Sequence, residues 1–360
     1  MKGGKVDLPI VSIEGKAYDR GYRYGRQARE GVKANVDIYL ELIRCFSGID
    51  RDEIIEEARG IIPAIEGYDP DIMEEIRGIS EGAGLGIEEI VALNARYELM
   101  FLRRACTSFA VTPDATSSGH TLVGQNWDWS PSLRDTCVVL KIRQDGGRPS
   151  ILCFTEAGII GGKIGLNSAG IALCINGLLS DRDGGRTKTP FFVVCRGILD
   201  SKSLSEAIES ATRAEMSRSA NCVIAHAGGG AIDLEVAPHD FGWIYPENGI
   251  LVHSNHFESR LGVKDIGKRR WPDTLVRYGR IRGLLRKRVG SVDVETLKQA
   301  LRDHFNWPHS ICHHIDERAN ESKQSMTVAS IIMDLNDRRM HVVYPGPPCM
   351  SEYEAVSLGA

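Results

Sequence analysis

The side chain best placed for chemistry is Cys106. It stands in the stretch Arg103-Arg104-Ala105-Cys106-Thr107-Ser108-Phe109-Ala110-Val111, where helix-period patterning stops and strand-period patterning begins. A thiolate attacks amide carbonyls readily, but it needs a partner that takes its proton. Three readings stay open at the level of the residues. Cys106 is a buried thiol at the start of a strand, the commonest role of a single cysteine. It is the nucleophile of a papain-like pair with His253 or His256 as base. Or it becomes N-terminal when its own thiol cuts the Ala105–Cys106 bond. A free α-amine titrates at roughly 7.7–8.0, so it can serve as general base from within the same residue. Before the cut, the thiol must attack the Ala105 carbonyl to give a thioester that water resolves. That step needs strain or an oxyanion donor at the junction. Arg103 and Arg104 would favour the thiolate there.

Other motifs carry less. Gly78-Ile79-Ser80-Glu81-Gly82 matches a nucleophile elbow, but an elbow needs a strand before its serine and a helix after it. Here a helix-like Met73-Glu74-Glu75-Ile76-Arg77-Gly78 leads in, so the fragment reads as a glycine-bounded helix end. Gly82-Ala83-Gly84 is too short for a dinucleotide loop. Late in the chain His304, His309, His313 and His314 gather around Cys312 and Asp316. Structural zinc sites show paired ligands in two halves, and no partner pair is evident, so the cluster is read without a metal.

Composition bounds the alternatives. The chain has 360 residues, 42% hydrophobic and 26% charged, with a net charge of -4. It is long enough for a large core, and the charge gives no case for nucleic acid or an anionic membrane. No apolar run reaches about eighteen residues, and the first residues lack the apolar core of a secretory signal. The nine cysteines are scattered without a close pair, which fits free thiols in a reducing cytoplasm.

Four helices are expected before the junction: 17–45, a second bearing Ile54, Ala58, Ile61 and Ile65, then Asp71–Ile79 and Ile87–Leu102. Gly21, Gly25 and Gly31 weaken the first, Pro63 and Gly67 disturb the second, and the run from Gly78 to Gly86 reads as a turn. After Ala105, short strands are expected at 107–111, 120–126, 137–142 and 151–155, followed by one from Gly170. A helix is expected over 191–213, then strands at 221–226, 231–236, 241–245 and 250–253. Helices near 275–285 and 294–305 precede a hairpin of 326–333 with 339–343, turned at Asn336-Asp337. Helices in groups around many antiparallel strands predict a layered α+β sandwich.

Five runs resemble one family. They are Cys106-Thr107; Gly124-Gln125-Asn126-Trp127-Asp128-Trp129; Thr155-Glu156-Ala157-Gly158-Ile159-Ile160-Gly161; Gly165-Leu166-Asn167-Ser168-Ala169-Gly170; and His253-Ser254-Asn255-His256. In that order they resemble the penicillin acyltransferase family, the acyl-coenzyme A:6-aminopenicillanic acid and isopenicillin N acyltransferases. The likeness runs from Gly21-Tyr22-Arg23-Tyr24-Gly25 to Ser310-Ile311-Cys312.

The resemblance implies a four-layer αββα N-terminal nucleophile hydrolase made by autoproteolysis. Residues 1–105 and 106–360 would remain associated as one domain, with no cofactor. Cys106 would be the nucleophile and its α-amine the base. Asn255 would donate to the oxyanion, Asp128 would orient the α-amine, and Asn176 would stand near the pocket. The family's fungal enzyme has glycine before its cysteine where this chain has Ala105, and arginine after its Ser-Ile-Cys run where this chain has His313. The implied activity is cleavage of a small linear amide, with water or an amine as acceptor and acyl-coenzyme A as one conceivable partner. Hydrolysis is favoured, because transfer to a β-lactam nucleus is a specialised role. A β-alanyl-amine hydrolase is the close alternative, and an uncleaved, non-enzymatic binding protein of the same fold is the alternative of another class.

Overall fold

Alternating burial along Ile10–Gly15 makes it a strand, β1, and the helical apolar periodicity that follows gives a run of six helices. The computed structural model describes residues 8–100 and 105–359. The helices are α1 (Ala17–Gln27), α2 (Arg29–Ser47), α3 (Arg51–Tyr68), α4 (Pro70–Ala83), α5 (Ile87–Asn94) and α6 (Arg96–Leu99). Their ends follow local chemistry. Asp50 and Glu53 form a reciprocal cap on α3, and Asp69 with Pro70 opens α4. Gly48 and Gly84 close α2 and α4 at φ of 74° and 68°, the left-handed turn that favours glycine.

The remainder is mostly strand: β2 (Cys106–Val111), β3 (Leu122–Trp129), β4 (Cys137–Gln144), β5 (Ile151–Glu156), β6 (Ile164–Asn167), β7 (Ile171–Gly177), β8 (Ala220–His226), β9 (Ala231–Ala237), β10 (Asp240–Ile244), β11 (Ile250–His253), β12 (Met326–Asp334), β13 (Arg339–Val343) and β14 (Glu354–Ser357). The later helices are α7 (Phe191–Leu199), α8 (Leu204–Thr212), α9 (Gly267–Arg270), α10 (Asp273–Arg286) and α11 (Val294–Leu301). One sheet runs β1-β4-β5-β6-β7-β8-β9-β10 and the other β11-β2-β3-β12-β13-β14. Only β1 with β4 pairs in parallel within these ladders.

The sheets face each other where β2 and β3 meet β7 and β8, while α2, α7 and α8 cover the first sheet and α10 and α11 the second. That is an αββα order. Two cores result: one fills the space between the sheets and under the N-terminal helices, and another sets Phe109, Val111 and Ile332 against Ile281, Leu285 and Leu301. The period of two along a strand therefore sorts the side chains of β2 and β3 between the inter-sheet space and the helix side. Among the described residues no helix is long and apolar enough to cross a membrane.

Several expectations need correction. The 17–45 helix is broken at Ala28, 191–213 is two helices, and the fourth N-terminal helix is interrupted at Ala95. Phe101, Leu102, Arg103 and Arg104 lie outside the described residues. The expected turn from Gly78 is helix as far as Ala83, so the Gly78–Gly82 fragment lies wholly inside α4.

The glycines explain this. A Cβ on Gly21 would stand 2.0 Å from the Glu75 carbonyl oxygen, and one on Gly78 would stand 2.2 Å from that of Tyr18. Gly25 and Gly82 repeat the contact one turn on, at 2.4 Å from Ile79 and 2.3 Å from Tyr22. Glycine at i and i+4 on both helices lets α1 and α4 touch backbone to backbone. Gly21→Ala or Gly78→Ala is expected to cost about 3 kcal/mol, the upper end of ordinary overpacking, in urea denaturation. Gly67→Ala in α3 meets open space and should be neutral or stabilising.

Candidate active site

Cys106 opens β2, a central strand of its sheet paired with β3 and β11. Strand alternation sends Cys106, Ser108 and Ala110 toward the opposite sheet, and Thr107, Phe109 and Val111 toward α10 and α11. The contacts agree. Ser108 donates to Asn176 Oδ1 on β7 at 2.5 Å, and Thr107 Oγ1 accepts from Arg277 on α10 at 3.0 Å.

The backbone around Cys106 is held at three points. Its N–H donates to Asn255 Oδ1 at 2.8 Å, and its carbonyl accepts from Arg277 Nη1 at 2.6 Å. One residue earlier, the Ala105 carbonyl accepts the backbone N–H of Asp128 at 3.1 Å. The junction thus has a hydrogen-bond donor on the carbonyl that self-cleavage would attack.

The chain brings Cys106, Asp128 and Asn255 together. Asn255 follows β11; its N–H donates to Thr274 Oγ1 at 2.6 Å and its Nδ2 to the Gly177 carbonyl at 3.0 Å. Asp128 lies on the helix side of β3, its Oδ1 accepting from Thr327 at 2.6 Å. Among the described residues no group hydrogen-bonds its buried Oδ2. Burial pushes Asp128 up to about 8, against the pull of Arg277 and the Thr327 hydroxyl. Burial, then the Asp128 carboxylate, pushes the Cys106 thiol up to about 11, while the Asp128 N–H, Lys163 and Arg277 pull the other way.

The other sequence candidates are placed elsewhere. Asn176 is bound to Ser108 and Asn221, and its neighbours Ile175 and Gly177 line the cavity instead. His253 contacts Glu235 Oε1 at 2.9 Å with one ring nitrogen and the Ser254 carbonyl with the other. Although burial pulls that imidazole down, Asp233 and Glu235 push it up to about 9, so it holds its proton. His256 divides its nitrogens between Glu258 and Thr274. With both nitrogens of each ring occupied, neither histidine is disposed as a base for Cys106.

A narrow cavity of about 50 Å³ reaches the thiol from between the sheets. Its walls are largely aromatic, with Tyr97, Trp127, Trp129, Phe191, Phe192 and Trp271. Two cations of its wall, Arg96 and Lys163, are held by one buried carboxylate behind it: Glu156 accepts from Arg96 at 2.7 Å and Lys163 at 2.9 Å, and also from Tyr39 at 2.6 Å. Burial favours the neutral acid, but Arg96 and Lys163 keep Glu156 ionised. On the far side of the junction, Ala105 borders an open cleft of about 540 Å³ with Arg270, Asp273, His309 and His313. Burial, with Arg277 nearby, holds His313 down at about 3 and hence neutral.

Two facing sheets between helix layers, with a cysteine opening a central strand at their shared cavity, define an N-terminal nucleophile hydrolase sandwich. The family model described as acyl-coenzyme A:6-aminopenicillanic acid acyl-transferase matches residues 115–348. The 40 kDa form of acyl-coenzyme A:6-aminopenicillanic-acid-acyltransferase from Emericella nidulans is 32% identical over 340 residues, covering 92% of this chain and 91% of that protein. This chain belongs to that acyltransferase family. It is accordingly an acyltransferase or amidohydrolase of the N-terminal nucleophile class. Among solved structures, a variant of the conjugated bile acid hydrolase from Clostridium perfringens is 14% identical with a TM-score of 0.49, over 70% of this chain and 92% of that one. The Caenorhabditis elegans ortholog of N-acylethanolamine-hydrolyzing acid amidase is 16% identical with a TM-score of 0.47, over 64% and 93%.

Arg277, Arg96 and Lys163 escape sequence reasoning. None stands inside one of the five runs, and Arg277 shares its helix with several other arginines.

Asp128 offers a test of the electrostatics. With a folded pKa of about 8 against about 3.9 unfolded, it keeps a proton that the unfolded chain has released. Its contribution to stability is present below about pH 4 and is lost as pH rises toward about 8. In a Cys106→Ala background, Asp128→Asn should lose less stability than its parent between about pH 5 and about pH 8, by no more than about 1.4 kcal/mol per pH unit. Urea denaturation at a series of pH values reads this; parallel curves would mean that Asp128 is already ionised in the folded chain.

Proposed function

We propose that this chain is a cysteine amidase or acyltransferase that cuts itself at Ala105–Cys106 and then breaks a small linear amide through a Cys106 thioester. What carries the reading is the placement of the junction itself: its carbonyl rests on the Asp128 N–H, its nitrogen on Asn255 Oδ1, and its thiol faces the aromatic cavity.

In the first event Sγ adds to the Ala105 carbonyl carbon, and the charge developing on oxygen is stabilised by the Asp128 N–H. The C–N bond breaks, the thiol proton passes to the departing nitrogen, and a thioester and a free α-amine result. Water then hydrolyses the thioester, releasing the Ala105 carboxylate and restoring the thiol. Alanine lacks the conformational freedom of glycine at this position, so the carbonyl donor takes the larger share of driving the step. The pieces 1–105 and 106–360 stay together because β1 is paired to β4 and α2 covers the first sheet.

In the second event the α-amine of Cys106 accepts the thiol proton and Sγ attacks the substrate amide. The α-amine stays on Asn255 Oδ1, and the ammonium it forms lowers the pKa of Asp128, whose free Oδ2, once ionised, compensates its charge. The second N–H of the Asn255 amide, the one not given to Gly177, serves the oxyanion. The α-ammonium returns its proton to the leaving amine, and water or an amine resolves the thioester. The aromatic walls support an apolar or aromatic acyl group, with Asn176 bracing the strand beneath it through Ser108. The open cleft on the Ala105 side supports access by water, hence hydrolysis. Unpaired thiols throughout the chain suit a cytoplasmic enzyme.

Intact-mass spectrometry tests the first event. The wild type should appear as two chains, the larger beginning at Cys106, and Cys106→Ala as one. Recovery of only the intact 360-residue chain from wild type would sink the reading and leave an uncleaved binding protein in its place. The second event is separable by co-expressing 1–105 with a chain beginning at Cys106. In that form Asn255→Ala should lower kcat for aryl-acyl amides by about 10²–10³, as loss of an oxyanion donor does. Unchanged kcat would remove Asn255 from the chemistry.

A further inference from the structure

We propose that His304, Cys312, His314 and Cys349 form a tetrahedral zinc site that ties the C-terminal segment to the loop running past the active site. The four groups come from separate places. His304 follows α11, Cys312 and His314 lie on the loop leading to β12, and Cys349 stands between β13 and β14. Their ligand atoms nevertheless all lie within 4.8 Å of one another.

The distances fit a shared cation. His314 Nε2 is 3.2 Å from His304 Nε2, 3.5 Å from Cys312 Sγ and 3.4 Å from Cys349 Sγ. Zinc bonds of about 2.0–2.1 Å to nitrogen and about 2.3 Å to sulfur place tetrahedral ligands about 3.3–3.8 Å apart. Hydrogen bonding alone fits poorly. A ring nitrogen offers one proton or one lone pair, in the plane of the ring, and cannot serve three neighbours at once. Two thiols and two imidazoles are a borderline-soft, four-coordinate set, which selects zinc over calcium or magnesium. Binding exchanges the two thiol protons for the cation.

The frame around the cluster is already ordered. Arg302 donates to the Pro348 carbonyl at 2.8 Å and to that of Ser351 at 3.2 Å, on either side of Cys349. The Cys312 N–H donates to the Asp303 carbonyl and the His314 N–H to that of Pro308, both at 3.0 Å. The Trp307 ring packs against His314 with centroids 4.1 Å apart. Between the two loop ligands sits His313, whose N–H donates to Thr327 Oγ1 at 2.9 Å, and Thr327 in turn holds Asp128. Ile311, beside Cys312, accepts from Asn126 at 2.8 Å. The site therefore steadies the loop that backs the Asp128 side of the junction. The spacing His304, Cys312, His314 has no second pair in sequence; the fold supplies the fourth ligand from Cys349.

The test is metal content by inductively coupled plasma mass spectrometry on the full chain, made without a polyhistidine tag and desalted. About one zinc per chain is expected, as for a closed structural site. It should be lost in Cys349→Ser and in His304→Ala, both of which change exposed residues. Cobalt substitution should give intense tetrahedral visible bands with a thiolate charge-transfer band, absent from Cys349→Ser. Three outcomes overturn the proposal: a wild type that holds no zinc after incubation with it, a Cys312–Cys349 disulfide in peptide mapping, or full zinc content in both variants. None depends on whether Ala105–Cys106 is cut.

Discussion

One buried guanidinium sets the geometry of the junction. Arg277 reaches the Cys106 carbonyl, Thr107 Oγ1, Asn255 Oδ1 and Asp273 Oδ2 from a single planar fork. Its planarity is what lets it fix a strand end, a loop amide and its own helix in one arrangement. Because Asn255 Oδ1 already faces two donors, the Cys106 N–H and Arg277 Nη2, the amide is turned so that its NH₂ points the other way, toward Gly177. Removing the guanidinium would leave Asp273 unpaired and the amide free to rotate.

The charges on the cavity wall serve the thiol from the opposite side. Arg96 and Lys163 both pair with Glu156, and all three are buried; burial pulls the Lys163 ammonium down to about 7 against the pull of Glu156. Such a group stays folded only because the carboxylate is shared and Tyr39 adds a donor. Lys163, together with Arg277, draws the thiol down and opposes the burial and the Asp128 charge that push it up.

The layered α+β architecture was legible because it rests on repeated local signals, whereas the nearness of Cys106, Asp128 and Asn255 was readable only through the family resemblance. Strand periodicity and turn residues mark most of the ladder, and five runs in one order mark the site. What escaped has physical reasons. β6 and β14 have only four residues each, so neither carries a long alternation. Gly78 and Gly82 read as a helix end because propensity sees only the chain's own backbone; the close approach of α1 that requires them is a tertiary fact. Asn176 was expected near the pocket from the family resemblance, and in the structure its side chain accepts from Ser108. Arg277 belongs to a helix already rich in arginine, and nothing in the sequence separates it from its exposed neighbours.

The pairing of β1 with β4 has a further consequence under the proposed cut. β1 and α1–α6 belong to the piece that ends at Ala105, while β4 and the helices α7 and α8 belong to the piece that begins at Cys106. Before the cut, these surfaces find each other as parts of one chain, at an effective concentration set by the tether. After it, the same surfaces belong to two molecules. Unfolding the mature enzyme would therefore turn a first-order search into a second-order one, with a yield that falls on dilution. The fold would be learned once, by the precursor, and kept afterwards only by never letting go.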